Sequence, residues 1–212
     1  MPRQDRAERT RNAILDAAAE VFDERGFNGA SLSDILTRAG VTKGALYFHF
    51  TSKEELARAI IDEQFTVPLP FVDFDNLTLQ TLIDMSHALA YNLRENVRVR
   101  ASVRLVVESN FANPSPEAYD RWIKMATDVL TAAQERGDLR KELDPEDVAN
   151  WTSAVFLGIQ TQSEVLTRRE DIHERLTFLW RIALPGLVPS RRLARFVPSG
   201  TGPWSTSAAA TA

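Results

Sequence analysis

Between Thr42 and Phe50 the chain reads T-K-G-A-L-Y-F-H-F. Lys43, Tyr47 and His49 supply a cation and two hydrogen-bonding rings, and two small residues, Gly44 and Ala45, stand among them. An ammonium donates to phosphate oxygens or to guanine edges, and phenol and imidazole add further donors. Small residues at the start of such a run let the backbone approach a partner closely. This is the chemistry of non-covalent recognition of an anionic, hydrogen-bonding surface. Bond-making chemistry has no comparable signal: there is no nucleophile elbow, phosphate-binding loop or glycine-rich dinucleotide loop. Carboxylates are plentiful, but they fall on polar helical faces. The three histidines, His49, His87 and His173, are not paired at ligand spacing, and there is no cysteine. The sequence therefore predicts no enzyme, no metal and no cofactor.

The surrounding residues must position that run. Ser31 caps a short helix, and Asp34 three residues on completes a capping box. Gly40 falls where the helix needs a left-handed terminator. Thr42 caps the next helix. Two short helices joined by a glycine-containing turn make the helix-turn-helix of DNA-binding proteins. Thr42 and Ser52 can serve as caps alone. Leu46, Phe48 and Phe50 are expected in the core.

Upstream, Ala7, Ile14, Ala18, Val21 and Phe22 follow a helical period over 5–25, which Gly26 ends. Phe27 and Leu32 read as core. Ser52 and Glu55 open a helix to about Phe65 with Leu56, Ile60 and Ile61 on its apolar face, and Pro68 and Pro70 end it. Helical patterns follow over 77–94 and 97–111. Asn113-Pro114-Ser115-Pro116 breaks the chain, and Ser115 restarts a helix that Gly137 stops. Asp144-Pro145 opens another to about Leu166; a last main helix covers Asp171 to Leu184 and stops at Pro185-Gly186, with one more turn over 190–196. No strand pattern and no long repeat is present. The expected fold is all-α: an N-terminal three-helix domain with a helix-turn-helix over 1–52, a larger C-terminal helical domain over 53–196, and a disordered tail over 197–212 that is small, polar and rich in Gly, Pro and Ser.

The net charge of −4 over 212 residues argues against a non-specific polyanion binder. Even residues 1–55 carry eight Lys/Arg against nine Asp/Glu, so binding should depend on local geometry. The charged N-terminus has no apolar signal region, and no apolar run nears the roughly 18 residues that span a membrane. A cytoplasmic protein with no membrane partner is expected.

The stretches ILDAAAEVFDERGF at 14–27 and LSDILTRAGVTKGALYFHFTSKEEL at 32–56, at the head of a helical chain, resemble the TetR family of bacterial transcriptional repressors. KGALYFHF, YDRWIKMATDVLTAAQERGDL around Trp122 and LPGLVPSRRLARF are similar to the γ-butyrolactone autoregulator receptors within it. The resemblance implies a homodimer on a palindromic double-stranded DNA operator, and a C-terminal domain for ligand binding and dimerisation. It also implies release by a small diffusible signal of the γ-butyrolactone, butenolide or furan type, in control of antibiotic production. A related DNA-binding pseudo-receptor that answers an antibiotic or another effector is the alternative.

On that pattern Lys43, Gly44 and Ala45 face base edges or nearby phosphates, and Tyr47 and His49 face phosphates. Ser33, Thr42 and Lys53 are further candidates for phosphate. The resemblance places a ligand-lining tryptophan at Trp122. Gln64 and Thr161 are candidate hydrogen-bonding partners for an oxygenated ligand. Leu89, Leu105, Val155 and Phe156 either line an apolar cavity or fill an ordinary core. Trp151 and Trp180 read as packing or dimer-interface aromatics, the interface being built from the last two long helices. The helix from Lys53 continues out of the DNA-binding domain and is expected to carry the ligand signal to it.

Overall fold

The computed structural model describes residues 2–108 and 116–204. Its described residues form nine α-helices and no strand: α1 (Pro2–Gly29), α2 (Leu32–Ala39), α3 (Lys43–His49), α4 (Lys53–Glu63), α5 (Leu79–Glu95), α6 (Val97–Glu108), α7 (Glu117–Glu135), α8 (Pro145–Thr167) and α9 (Ile172–Leu187), then a 3-10 turn at Ser190–Arg195. The Asn113-Pro114-Ser115 part of the expected chain break, with the Ser115 cap, lies outside the described residues, as does 205–212. No described helix is long and apolar enough to cross a membrane.

The chain divides into two compact units: one of Met1–Pro68 with Leu93–Ala118, the other of Leu69–Asn92 with Tyr119–Ala212. This moves the expected boundary at residue 52. Leu56, Ala57 and Ile60 of α4 are buried in one cluster with Ile14, Phe22, Ile35, Leu46 and Phe50, and α6 adds Ala101 and Leu105 to it. Burying these apolar faces together makes five helices, not three, the folding unit. Arg98 of α6 reinforces the seam: Nε donates to Asp16 at 2.7 Å, and the terminal nitrogens donate to Glu63 at 2.7 Å and to the Asn12 carbonyl at 3.0 Å. Gly26 (φ 68°, ψ 178°) breaks α1, and the chain turns helical again through Gly29.

The second unit closes over Leu79, Ile83, Leu130, Leu139, Val148, Leu184 and Trp180, whose indole N–H donates to Ser86 at 2.9 Å. Trp180 is thus a packing residue. α9 runs through Pro185-Gly186 instead of stopping there. Arg140 supports the last turn: its backbone N–H donates to Leu187 O at 2.9 Å and its guanidinium to Pro185 O at 3.2 Å, which satisfies carbonyls a helix end leaves open.

Residues 197–204 of the expected disordered tail are packed. Val197 N–H donates to Gln80 at 2.8 Å, and Thr201 donates to Asp84 through its amide (2.7 Å) and its hydroxyl (2.9 Å). The structure also pairs two of the histidines: His87 Nδ1 lies 3.1 Å from His173 Nδ1, and His87 Nε2 lies 3.1 Å from Pro198 O. A carbonyl only accepts, so His87 carries its proton on Nε2 and His173 donates from Nδ1. Trp204 lies parallel to both rings, at 6.0 Å and 5.7 Å between centroids. Burial holds His87 below its ordinary pKa, against the opposing pull of the Pro198 carbonyl and Asp84. Among the described residues no group of three or more His, Cys, Asp or Glu could hold a metal ion.

Candidate nucleic-acid interface

The helix-turn-helix is built as its local sequence requires. Ser31 Oγ accepts from Asp34 N–H at 3.1 Å, and Asp34 accepts from Ser31 N–H at 3.3 Å. Gly40 adopts φ 63°, ψ 29°, the left-handed conformation that ends α2. Thr42 Oγ1 accepts from Ala45 N–H at 3.2 Å, which starts α3. Thr42 is exposed, so its hydroxyl proton remains available to an acceptor outside the protein. Leu46 and Phe50, four residues apart, bury one side of α3 in the core.

The opposite side faces outward. Lys43, Gly44 and Tyr47 are exposed, Ala45 and His49 are half-buried, and Ser33 is exposed on α2. Lys43 Nζ lies 5.8 Å from the centre of the Tyr47 ring. A side chain at Gly44 would meet nothing within 4 Å. Glycine in so short a helix costs about 1 kcal/mol against alanine, and nothing in the free protein requires it. A close external partner does give a reason.

Phe48 corrects the core expectation: it is 78% exposed. It lies two residues from both Leu46 and Phe50, on the far side of α3, with its ring edge-on to His49 at 5.0 Å. The helical period carries the signal that could have found it.

Lys53 corrects the phosphate assignment. Its ammonium donates to Phe27 O at 2.8 Å and Ala30 O at 2.9 Å, and it sits 4.3 Å from the centre of the Phe27 ring. It fastens the α1–α2 connection. Ser52 Oγ caps α4 through Glu55 N–H at 3.1 Å, and the Glu55 carboxylate accepts from the Thr51 N–H and hydroxyl.

Charge on this unit is locally balanced. Arg38 pairs bidentately with Glu24, at 2.7 and 3.0 Å, and Arg25 pairs with Asp34 at 2.9 Å. The hydrogen bond from Arg38 holds Glu24 below the ordinary carboxylate range, and the Ser31 hydroxyl does the same for Asp34, with Arg25 contributing.

The seven ligand candidates divide between the units. Gln64 and Leu105 belong to the first; Leu89, Trp122, Val155, Phe156 and Thr161 belong to the second. Leu105 is fully buried in the first unit's core, which gives it the core role. Gln64 is buried, its Oε1 accepting from Ser102 Oγ at 3.3 Å and its Nε2 meeting no acceptor. Leu89 is buried, and Trp122, Val155 and Phe156 are half-buried. Thr161 is exposed, with its hydroxyl donating to Leu157 O at 2.8 Å within its own helix. That geometry removes it from an interior pocket of its unit.

The fold and the outward α3 define a helix-turn-helix regulator, and the comparisons agree. Residues 14–60 match the family described as bacterial regulatory proteins, tetR family, and residues 76–189 match the tetracyclin repressor-like C-terminal domain. The chain belongs to the TetR family of transcriptional repressors. It is 41% identical over 202 residues to the A-factor receptor protein of Streptomyces griseus, covering 94% of this chain and 71% of that one. A TetR regulator of Streptomyces fradiae, TylP, superposes with a TM-score of 0.79 at 39% identity, over 90% of this chain and 92% of that chain. A γ-butyrolactone receptor superposes with a TM-score of 0.75 at 34% identity, over 92% and 96%.

Proposed function

We propose that this protein is a homodimeric repressor that binds a palindromic operator and leaves it when a small γ-butyrolactone, butenolide or furan signal binds. Its regulatory target is antibiotic production. The observation that carries the DNA-binding part is α3, presented outward with Lys43, Gly44 and Tyr47 exposed and the Gly44 Cβ position open. In this reading Lys43 contacts guanine edges, Tyr47 and His49 contact phosphates, and Phe48 contacts a thymine methyl. Ser33 and Thr42 add hydroxyl contacts to the backbone. Two such helices read half-sites about 34–36 Å apart.

Dimerisation draws support from exposed apolar side chains on the last two long helices. Trp151, Val165 and Leu166 stand on α8, and Phe178 and Ile182, four residues apart, share a face of α9. The signal class comes from the receptors this chain resembles. Trp122, in the second unit, supplies a flat apolar wall for such a ligand. Ligand and operator must then weaken each other reciprocally, by roughly 1–3 kcal/mol in typical allostery.

The test is a gel-shift assay on the protein's own promoter region, with and without synthetic lactones, butenolides and furans. Retarded DNA released by one of these signals is expected. Retention that none of them reverses, but that an antibiotic does, overturns the signal class; no retention at all overturns the operator.

A further inference from the structure

The break in α1 at Gly26 is filled from α6. An unbroken α-helix would join Phe27 N–H to Asp23 C=O. Here Glu108 accepts from Phe27 N–H at 2.9 Å, and Arg104 donates to Asp23 O. Arg104 and Glu108 are themselves paired one turn apart on α6 at 2.6 Å. Arg100, one turn earlier, holds the Asp23 carboxylate at 2.9 Å. An ion pair of one helix thus stands between two groups that another helix would ordinarily join.

Gly26 fits this arrangement in two ways. Its φ of 68° favours glycine, and a Cβ there would lie 2.5 Å from both Glu108 carboxylate oxygens. On the carbonyl side of the same residue, Lys53 holds Phe27 O, and with it Ala30 O. The next residue, Ser31, caps α2. The entrance to the helix-turn-helix is therefore gripped by α6 on one side and by α4 on the other.

We propose that Arg104 and Glu108 are positioning residues for DNA binding: their ion pair, seated in the Gly26 break, holds the helix-turn-helix in its operator-competent orientation. The inference rests on the operator-binding reading above. Neither residue touches DNA. When the pair is unseated, the competent orientation is one of several, and apparent affinity falls by the fraction that remains competent.

The test compares Glu108→Ala, which removes the acceptor, with Glu108→Gln, which keeps an amide oxygen for Phe27 N–H. In Glu108→Ala, operator affinity measured by fluorescence anisotropy falls about tenfold or more, and the Phe27 amide exchanges at least tenfold faster. Dimer mass stays that of the wild type, and the thermal midpoint falls by only a few degrees for the lost charged hydrogen bond. Glu108→Gln recovers most of the amide protection and part of the affinity. Operator affinity within twofold of the wild type in Glu108→Ala overturns the proposal. If Glu108→Ala does not fold, Arg104→Met decides: operator affinity within twofold of the wild type overturns the proposal. If the wild type binds no operator, the operator reading fails, and the seated pair is judged on amide exchange alone; unchanged Phe27 protection then sinks it.

Discussion

Lys53→Met separates two roles for a lysine beside a DNA-binding helix. The substitution keeps the apolar stem and removes the ammonium, which donates to Phe27 O and Ala30 O. Hydrogen bonds from a charged donor contribute about 1.5–3 kcal/mol each. The site is half-exposed, so water recovers part of that for the carbonyls, and the expected net loss is about 2 kcal/mol for the two bonds together. For a chain of this length that lowers the thermal midpoint by about 4–8 °C. A phosphate contact would behave differently: each one contributes about 0.9 to the slope of log K against log salt, or about 1.8 for two heads. Calorimetry and a salt titration of operator binding measure both quantities on one preparation. The expected result is a lower midpoint with an unchanged slope. A slope reduced by about two at an unchanged midpoint would refute the carbonyl role and restore phosphate contact.

The other predictions address separate parts of the molecule. Replacing the contacted thymine by uracil should weaken wild-type binding about fourfold, the worth of one buried methyl, and leave Phe48→Ala indifferent; equal penalties for both proteins would remove Phe48 from base contact. Trp122→Ala should bind the operator normally but no longer release it with ligand, and release at the wild-type ligand concentration would count against a pocket role. Phe178→Asp places a charge on the exposed face of α9 and should yield a monomer by light scattering at micromolar concentration; an unchanged dimer would relocate the interface. Burial pushes the Asp171 carboxyl up, but the Ser163 and Thr167 hydroxyls and the Arg175 guanidinium outweigh it and bring its pKa to about 2 from 3.8. A depressed carboxylate pKa contributes stability that is fully present above the ordinary value and is lost as pH falls through the folded one. The gap in thermal midpoint between wild type and Asp171→Asn should therefore shrink from about pH 4 down to about pH 2, and a gap independent of pH would discount the Asp171 network.

What local chemistry determines was legible in the sequence. Ser31, Asp34, Gly40 and Thr42 set helix ends through bonds three or four residues long, and all of them stand where their types require. Phe48 is misplaced when Leu46, Phe48 and Phe50 are weighed together by hydrophobicity, while a period of 3.6 residues puts 46 and 50 on one side and 48 on the other. Lys53 could not be read at all, since its acceptors lie 23 and 26 residues away. The same holds for Arg140, which supports a helix end 45 residues further on. Residues 197–204 have the composition of a disordered tail, yet Asp84, Gln80 and the histidine pair supply partners that no local pattern reveals.

Because α4 and α6 share one core with the helix-turn-helix, the reading head is not a module that can be excised at its sequence-family border. A chimera joining residues 1–60, through the end of the family match, to a foreign scaffold would strip Ala101 and Leu105 from the cluster around Phe22 and leave that apolar surface wet. Swapping operator preference between relatives is better done by grafting the outward residues of α3 alone. A transplant of the whole head should carry α6 with it.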